Sequence, residues 1–169
     1  MKGWLALGVA LAGCASGPTS DWERQQEGRL PPAEMAAPLP PFPRRADLVE
    51  FDVAATSEFR FFIDAGSLSV GPDGVVRYAL VARSDAGAEN VSYEGMRCRT
   101  GEVRIYAIGH DGRWGGKPGE WRAIVPRSVQ RWHYALYREY FCPHKQPIAS
   151  PREGVDALQR GGHPLTTPR

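Results

Sequence analysis

Apolar residues recur at every second position over long stretches between residues 47 and 125. The stretches Val49–Val53 and Phe59–Ile63 both follow this pattern, which is typical of a strand with one buried face. Residues 75–83 (VVRYALVAR) are rich in β-branched and aromatic residues and predict a central strand. The predicted strands cover residues 49–53, 59–63, 68–70, 75–83, 91–98, 103–109 and, at an edge, 121–125.

Tight turns separate these strands. Gly71-Pro72-Asp73-Gly74 precedes the central strand, and Asp111-Gly112 is a dipeptide that favours two-residue hairpins. Short strands joined by such turns predict an antiparallel meander of about five to six strands.

The apolar period changes after Pro126. Val129, Trp132, Leu136 and Tyr140 fall at helical spacing, which predicts a helix that is capped by Ser128 and ends near Phe141. Its apolar stripe would cover the sheet. A second, short helix begins at Ser150-Pro151-Arg152-Glu153 and stops at Gly161-Gly162. The predicted fold is α+β, and residues 47–164 form the globular domain, followed by a loose tail at 165–169.

The N-terminus has the pattern of a signal peptide. Lys2 precedes the apolar run Gly3–Leu11, which is shorter than the ~20 residues that a membrane-spanning helix needs. The sequence Leu-Ala-Gly before Cys14 resembles the bacterial lipobox, in which the cysteine is acylated and becomes the new N-terminus. We therefore expect residues 1–13 to be removed and Cys14 to carry the lipid. The alternative is an ordinary signal peptide that is cut slightly later, for instance after Ala15.

Several acyl chains give a stable anchor where a single chain does not. The lipobox reading thus predicts a protein that contacts the membrane through its lipid. Ala15, rather than aspartate, follows the cysteine, and by resemblance to known sorting signals this favours the outer membrane, facing the periplasm. Without acylation the protein would be soluble in the periplasm.

Residues 14–46 are expected to form the lipid anchor and a proline-rich tether. The prolines favour an extended polyproline conformation that would hold the domain away from the bilayer. They are Pro31, Pro32, Pro38, Pro40, Pro41 and Pro43.

Lipidation of Cys14 would leave two cysteines, Cys98 and Cys142, which are 44 positions apart. The periplasm is oxidising, so we predict a disulfide between them. Each cysteine ends a predicted element, where backbones can approach closely enough for a bridge. Two separate buried thiols are the alternative.

Three stretches resemble the cryptic neisserial protein (CNP-one-like) family of small exported bacterial proteins. They are FRFFIDAGSLSVGPDGVVRYALVARS, AENVSYEGMRC and ALYREYFCP, and the resemblance covers most of residues 47–164. It implies an exported envelope protein and supplies no catalytic residues, because no activity is defined for the family.

Charge and motifs exclude several functions. The formal net charge is +2, so the chain lacks the basic field of a nucleic-acid-binding protein.

No cofactor is expected. Cys142 and His144 are the only pair that hints at zinc, and the expected disulfide would consume the thiol. We predict no metal site and no catalytic residue, although a carboxylate pair drawn from Glu89, Glu94, Glu102 and Glu120 would suit an envelope hydrolase acting on a sugar or peptide.

Arginine dominates the basic residues, with 18 arginines among 21. Arginine binds anions in a bidentate fork and stacks on aromatic rings. We therefore expect Tyr93, Arg97, Trp132 and Arg138 to line a groove for an anionic or saccharide ligand. The alternative is a GC-rich genome that encodes arginine in place of lysine, with the arginines paired locally to glutamate and aspartate. The sequence predicts an envelope lipoprotein with a small binding or structural domain that contacts an envelope protein or such a ligand.

Overall fold

The computed structural model describes residues 33–53, 58–126 and 129–166. Within them, seven strands form one antiparallel sheet in the order β1-β2-β3-β4-β5-β6, and β7 pairs with β5. The predicted α+β meander is confirmed. The strands are β1 (Leu48–Phe51), β2 (Phe59–Val70), β3 (Val75–Ser84), β4 (Glu89–Arg97), β5 (Glu102–His110), β6 (Arg113–Gly115) and β7 (Arg122–Ala123).

Strand β2 runs without the predicted break after Ile63. Its pairing with β3 shifts register between Asp64 and Ser69. There the Ser67 hydroxyl donates to the Asp64 carbonyl at 2.7 Å and accepts from the Ala79 amide at 2.8 Å. A side chain therefore supplies the partners that the backbone ladder lacks at the shift.

The hairpin between β5 and β6 turns at Asp111 and Gly112. Both residues have positive φ, 48° and 74°, as a type I′ turn requires at its two central positions. The aspartate-glycine dipeptide thus forms the turn that the sequence predicts, and β6 adds a short edge strand that the sequence pattern did not reveal.

The C-terminal part is helical. Helix α1 (Arg131–Ala135) continues into a π-helical stretch, Leu136–Phe141, which ends where the sequence predicts. Helix α2 (Pro151–Gln159) begins as predicted, because the Ser150 hydroxyl accepts from the Glu153 amide at 3.2 Å. The other predicted cap, Ser128, lies outside the described residues.

The main core lies between the sheet and these helices. Tyr140 and Phe141 are fully buried, and Phe141 packs against Tyr78 with ring centroids 5.4 Å apart. The disulfide between Cys98 and Cys142 joins the end of β4 to the end of the π-helical stretch, with 5.1 Å between the two Cα atoms. The helices therefore cover the face of the sheet that carries the even-numbered residues of β3 and β4.

The opposite face is covered by residues 33–46, which we call the strap. The Trp114 indole donates to the Pro40 carbonyl at 2.8 Å, and its ring lies 5.0 Å from that of Phe42. The described part of the predicted tether thus lies on the domain instead of projecting from it. The reason is that this face of the sheet is also apolar around Phe62, Val81 and Val91 and needs a cover.

Central strand β3 is buried on both faces from Val75 to Ala82 as a result.

The predicted signal peptide, Cys14 and the first part of the tether lie outside the described residues. No helix among residues 33–53, 58–126 and 129–166 is long and apolar enough to cross a membrane.

Candidate functional site

The four residues predicted to line a ligand groove do not come together. Tyr93 packs on the strap face against Tyr106, with ring centroids 5.5 Å apart, whereas Trp132 packs on the helix face against Phe61 at 5.2 Å. Arg138 is exposed on the π-helical stretch. Odd- and even-numbered residues of β4 point to opposite faces, so a groove that joins these side chains does not form.

Arg97 also lies on the strap face. Its guanidinium stacks 4.0 Å from the centroid of the Trp121 ring and lies 3.8 Å from Glu34. Arg97 therefore contacts an aromatic ring and a carboxylate of the protein itself, which agrees with the alternative of local pairing.

The predicted zinc alternative has no support in the positions of its residues. Cys142 is bonded to Cys98, and His144 is exposed. The described residues contain no group of three or more histidine, cysteine, aspartate or glutamate side chains placed to hold a metal.

The four glutamates of the hydrolase alternative are separated. Glu89 pairs with Arg83 at 2.8 Å, Glu102 accepts from Thr100 at 2.6 Å, and Glu120 is exposed in a loop. Glu94 alone is buried. Of these four, only Glu94 lines the cleft described below, so a second carboxylate of this set does not face it there as a glycosidase pair would require.

Glu94 forms the centre of a buried polar network on the helix face. One carboxylate oxygen accepts from the Ser92 hydroxyl at 2.7 Å, and the other lies 2.8 Å from His133 Nε2. The side chains of Glu94 and His133 are only 2% and 4% exposed. The network therefore ties strand β4 to helix α1 inside the core.

This network keeps the Glu94 carboxylate ionised. Burial by itself would raise the pKa of Glu94, but the charge and hydrogen bond of His133, together with the Ser92 hydroxyl, outweigh burial and lower the pKa. Burial raises the pKa of the neighbouring Tyr78 well above its ordinary value, and the Glu94 charge adds to this effect. Tyr78 therefore stays protonated beside the carboxylate.

The order of groups in the network differs from that of a catalytic triad. In a triad the imidazole lies between the hydroxyl and the carboxylate, so that it can take the hydroxyl proton. Here the Glu94 carboxylate lies between Ser92 and His133. A carboxylate with a lowered pKa is a weak base, so this arrangement does not make Ser92 a nucleophile.

A cleft of about 310 Å³ opens above this network. Its rim includes two apolar side chains with unusual exposure, Phe59 at 38% and Ile108 at 49%. Trp132, stacked on Phe61, forms one wall. The remaining lining residues are Leu80, Ala82, Asn90, Val91, Ser92, Glu94, Ile105, Gly109 and Gln130.

The lining of the cleft is mainly apolar with a polar floor. Such a surface, with a few convergent polar groups, is typical of small-molecule sites. The indole nitrogen of Trp132 is buried and has no hydrogen-bond acceptor among the described residues. A donor left unpaired in a native structure is uncommon, and in the wall of a cleft it is consistent with a site that takes up a polar group.

A second cluster holds the strap in place through Glu34. Its carboxylate accepts from Arg104 at 2.7 Å, from the Tyr106 hydroxyl at 2.7 Å and from the Trp121 indole at 2.9 Å. Burial by itself would raise the pKa of Glu34, but these three donors outweigh burial and lower the pKa. Burial and the bond to Glu34 raise the pKa of Tyr106.

The next residue of the strap, Met35, is held by its backbone. Its amide donates to Asp73 at 2.8 Å, and its carbonyl accepts from Arg77 at 3.1 Å. Asp73 and Arg77 form a buried ion pair at 2.6 Å. A more open hollow of about 490 Å³ lies beside this segment. The charged groups around Glu34 and Met35 already have partners within the protein, so this face has fewer polar groups left for a ligand.

The sequence pattern did not reveal the network formed by Glu94 and His133. Glu94 occupies an even-numbered position of β4 between Ser92 and Met96, and a single glutamate in a short strand reads as a surface residue. His133 falls at the helical spacing of the apolar stripe, and this spacing indicates that its side chain points into the core. Pairing the two would have required the three-dimensional arrangement.

The fold is that of a small α+β domain, and its cleft lies between strands β2 to β5 and the start of helix α1. The chain belongs to the CNP1-like family, whose model matches residues 29–159. The resemblance inferred from the sequence is thereby confirmed, and the match includes the whole strap. No curated protein and no solved structure matches the chain. Membership of the family brings no defined activity with it.

Proposed function

We propose that the protein is a cell-envelope lipoprotein whose globular domain binds an apolar or amphiphilic ligand in the cleft above Glu94. The cleft is the observation that carries the proposal. It joins exposed apolar residues at the rim, Phe59 and Ile108, to a buried polar floor. An apolar surface of this kind is costly in water unless a ligand covers it at least part of the time.

The location in the envelope rests on the sequence. The apolar run before Cys14 and the small residues Ala12 and Gly13 favour export and acylation. Ala15 favours the outer membrane. The disulfide between Cys98 and Cys142 is consistent with an oxidising compartment. A lipid anchor would place the cleft in a compartment bounded by bilayers, where apolar ligands are available.

Binding is tested with the chain from Ala15 to Arg169, exported to the periplasm so that the disulfide forms and purified without detergent. The probe is the neutral dye N-phenyl-1-naphthylamine, which fluoresces in apolar surroundings. We expect saturable binding at one site. Ile108→Glu places a charge on the rim and should weaken binding by about tenfold or more, because a charge must then lose water when the dye binds.

Leu165→Glu is the matched control. Leu165 is 60% exposed, comparable to Ile108 at 49%, but it lies outside the cleft lining. This variant should bind the dye like the unchanged protein. The proposal fails if binding is not saturable, or if both variants lose it to the same extent.

A further inference from the structure

Among the described residues, Glu94 is the only ionisable one that lines the cleft. The other lining side chains are apolar, aromatic or neutral and polar, with Asn90, Ser92 and Gln130 in the last class. No arginine or lysine of residues 33–53, 58–126 and 129–166 contributes to the lining, although the whole chain holds 21 such residues. The charged group that faces the cleft directly is therefore the Glu94 carboxylate, whereas its partner His133 is buried and does not line the cleft, so an anionic ligand would meet no cation among the described lining residues.

The carboxylate can accept further donors. An ionised carboxylate offers about four acceptor positions. Ser92 and His133 each contact one oxygen of Glu94, and the Tyr78 hydroxyl faces the same carboxylate, so only the remaining positions are open to a further donor. The lowered pKa of Glu94 keeps these positions available at neutral pH. Glu94 can thus hold an ammonium group at the floor of the cleft, by a hydrogen bond where that group carries N–H and by charge alone where it is quaternary.

Aromatic rings accompany this charge. Trp132 and Phe61 stack with ring centroids 5.2 Å apart, and Phe59 lies next to Phe61 at 6.4 Å. All three line the cleft. Aromatic faces attract organic cations, most strongly in sites from which water is excluded. A carboxylate with several aromatic neighbours is an arrangement suited to an ammonium group.

The rest of the lining fits an alkyl chain. Leu80, Val91, Ile105 and Ile108 provide an aliphatic surface that continues to the exposed rim. We infer that the cleft binds an amphiphile in which an ammonium head group is joined to an alkyl chain, with the head near Glu94 and the aromatic rings and the chain along the aliphatic wall. This inference rests on the proposed function, because it names the ligand class of the same cleft.

The test compares ligands of equal chain length and different charge. Decyltrimethylammonium, decyl maltoside and decyl sulfate are each used below the concentration at which they form micelles, and each competes with the neutral dye on the Ala15–Arg169 chain. Circular dichroism and the disulfide content confirm that the protein stays folded. We expect the ammonium compound to bind at least tenfold more tightly than the neutral and anionic ones.

Variants separate charge from shape. Asn90 is exposed and lines the cleft, so Asn90→Lys adds a positive charge there without disturbing the core. It should weaken binding of the ammonium compound at least tenfold more than binding of decyl maltoside, since only the cation is repelled. Ala88→Lys adds the same charge to an exposed position outside the lining and should change neither. Glu94→Gln should remove the preference for ammonium, and Asn90→Lys decides the matter if that variant does not fold.

The outcomes distinguish this inference from the proposed function. If decyl maltoside and the ammonium compound displace the dye equally, the cleft binds apolar ligands without selecting ammonium, and the inference is overturned while the proposed function stands. If neither displaces the dye and the dye itself does not bind, both fail. Butyltrimethylammonium, which lacks the long chain, should bind at least tenfold more weakly than the decyl compound. Equal binding would contradict the amphiphile assignment.

Discussion

The pair formed by Glu94 and His133 makes a sharp prediction about stability. Both side chains are almost fully buried, and the 2.8 Å contact between them joins β4 to helix α1. His133→Leu replaces the imidazole with an apolar side chain of similar size and leaves the Glu94 carboxylate with fewer hydrogen-bond partners. Removing one member of a buried pair costs about 3–5 kcal/mol, because the remaining charge stays buried without compensation.

The double variant should be less affected than the sum of the two single variants. Glu94→Met alone leaves an unpaired imidazole and should cost about 1–3 kcal/mol, as for other buried groups that lose a hydrogen bond. Glu94→Met with His133→Leu replaces both polar groups with apolar ones, which is often close to neutral. The coupling energy between the two positions should therefore reach about 2 kcal/mol or more.

The assay is urea unfolding with the disulfide intact, followed by circular dichroism. The same set also predicts a dependence on pH. Since the pKa of Glu94 is lower in the folded protein than in the unfolded chain, its contribution is present at neutral pH and is lost as the pH falls through the folded-state pKa. The double variant should lose less stability on acidification than the unchanged protein. Additive effects within about 0.5 kcal/mol would refute the coupling.

Three further predictions concern other parts of the molecule. Glu34→Gln should loosen the strap, because Arg104 and Tyr106 lose their charged acceptor. Limited proteolysis should then cut residues 33–46 faster. The control Glu120→Gln, at an exposed loop position, should leave the cutting rate unchanged. Cys98→Ala or Cys142→Ala should cost about 2–5 kcal/mol and the double variant little more; free thiols in the unchanged periplasmic protein would contradict this. Cys14→Ser should leave the protein unprocessed or release it from membranes, and a processed variant that still partitions with membranes would exclude acylation as the anchor.

Local patterns predicted most of the fold. Alternation of apolar residues located the main strands, and turn and cap residues such as Asp111-Gly112 and Ser150 formed the local structures expected of them. These features depend on residues that are near one another in the chain. Strand β6 escaped prediction because Arg113–Gly115 is too short to show a period.

The strap and the cleft depend on contacts between distant residues. The proline density of residues 31–43 predicts extended backbone, and residues 33–44 form no helix or strand, but the prolines carry no information about what this segment contacts. Docking comes from Glu34 and its partners Arg104, Tyr106 and Trp121, which are 70 to 87 positions away. The predicted groove did not form, because Arg97 and Trp132 lie on opposite faces of the sheet. Residue type alone does not show which face of the sheet a side chain occupies.

The central claim, that the cleft above Glu94 is the ligand site, is tested most directly by nuclear magnetic resonance of the protein with decyltrimethylammonium. The account predicts intermolecular nuclear Overhauser effects between the alkyl chain and the methyl groups of Ile108, and between the head group and the ring protons of Trp132. Contacts to Trp114 and Leu39, in the hollow beside the strap, with none to the cleft, would contradict it.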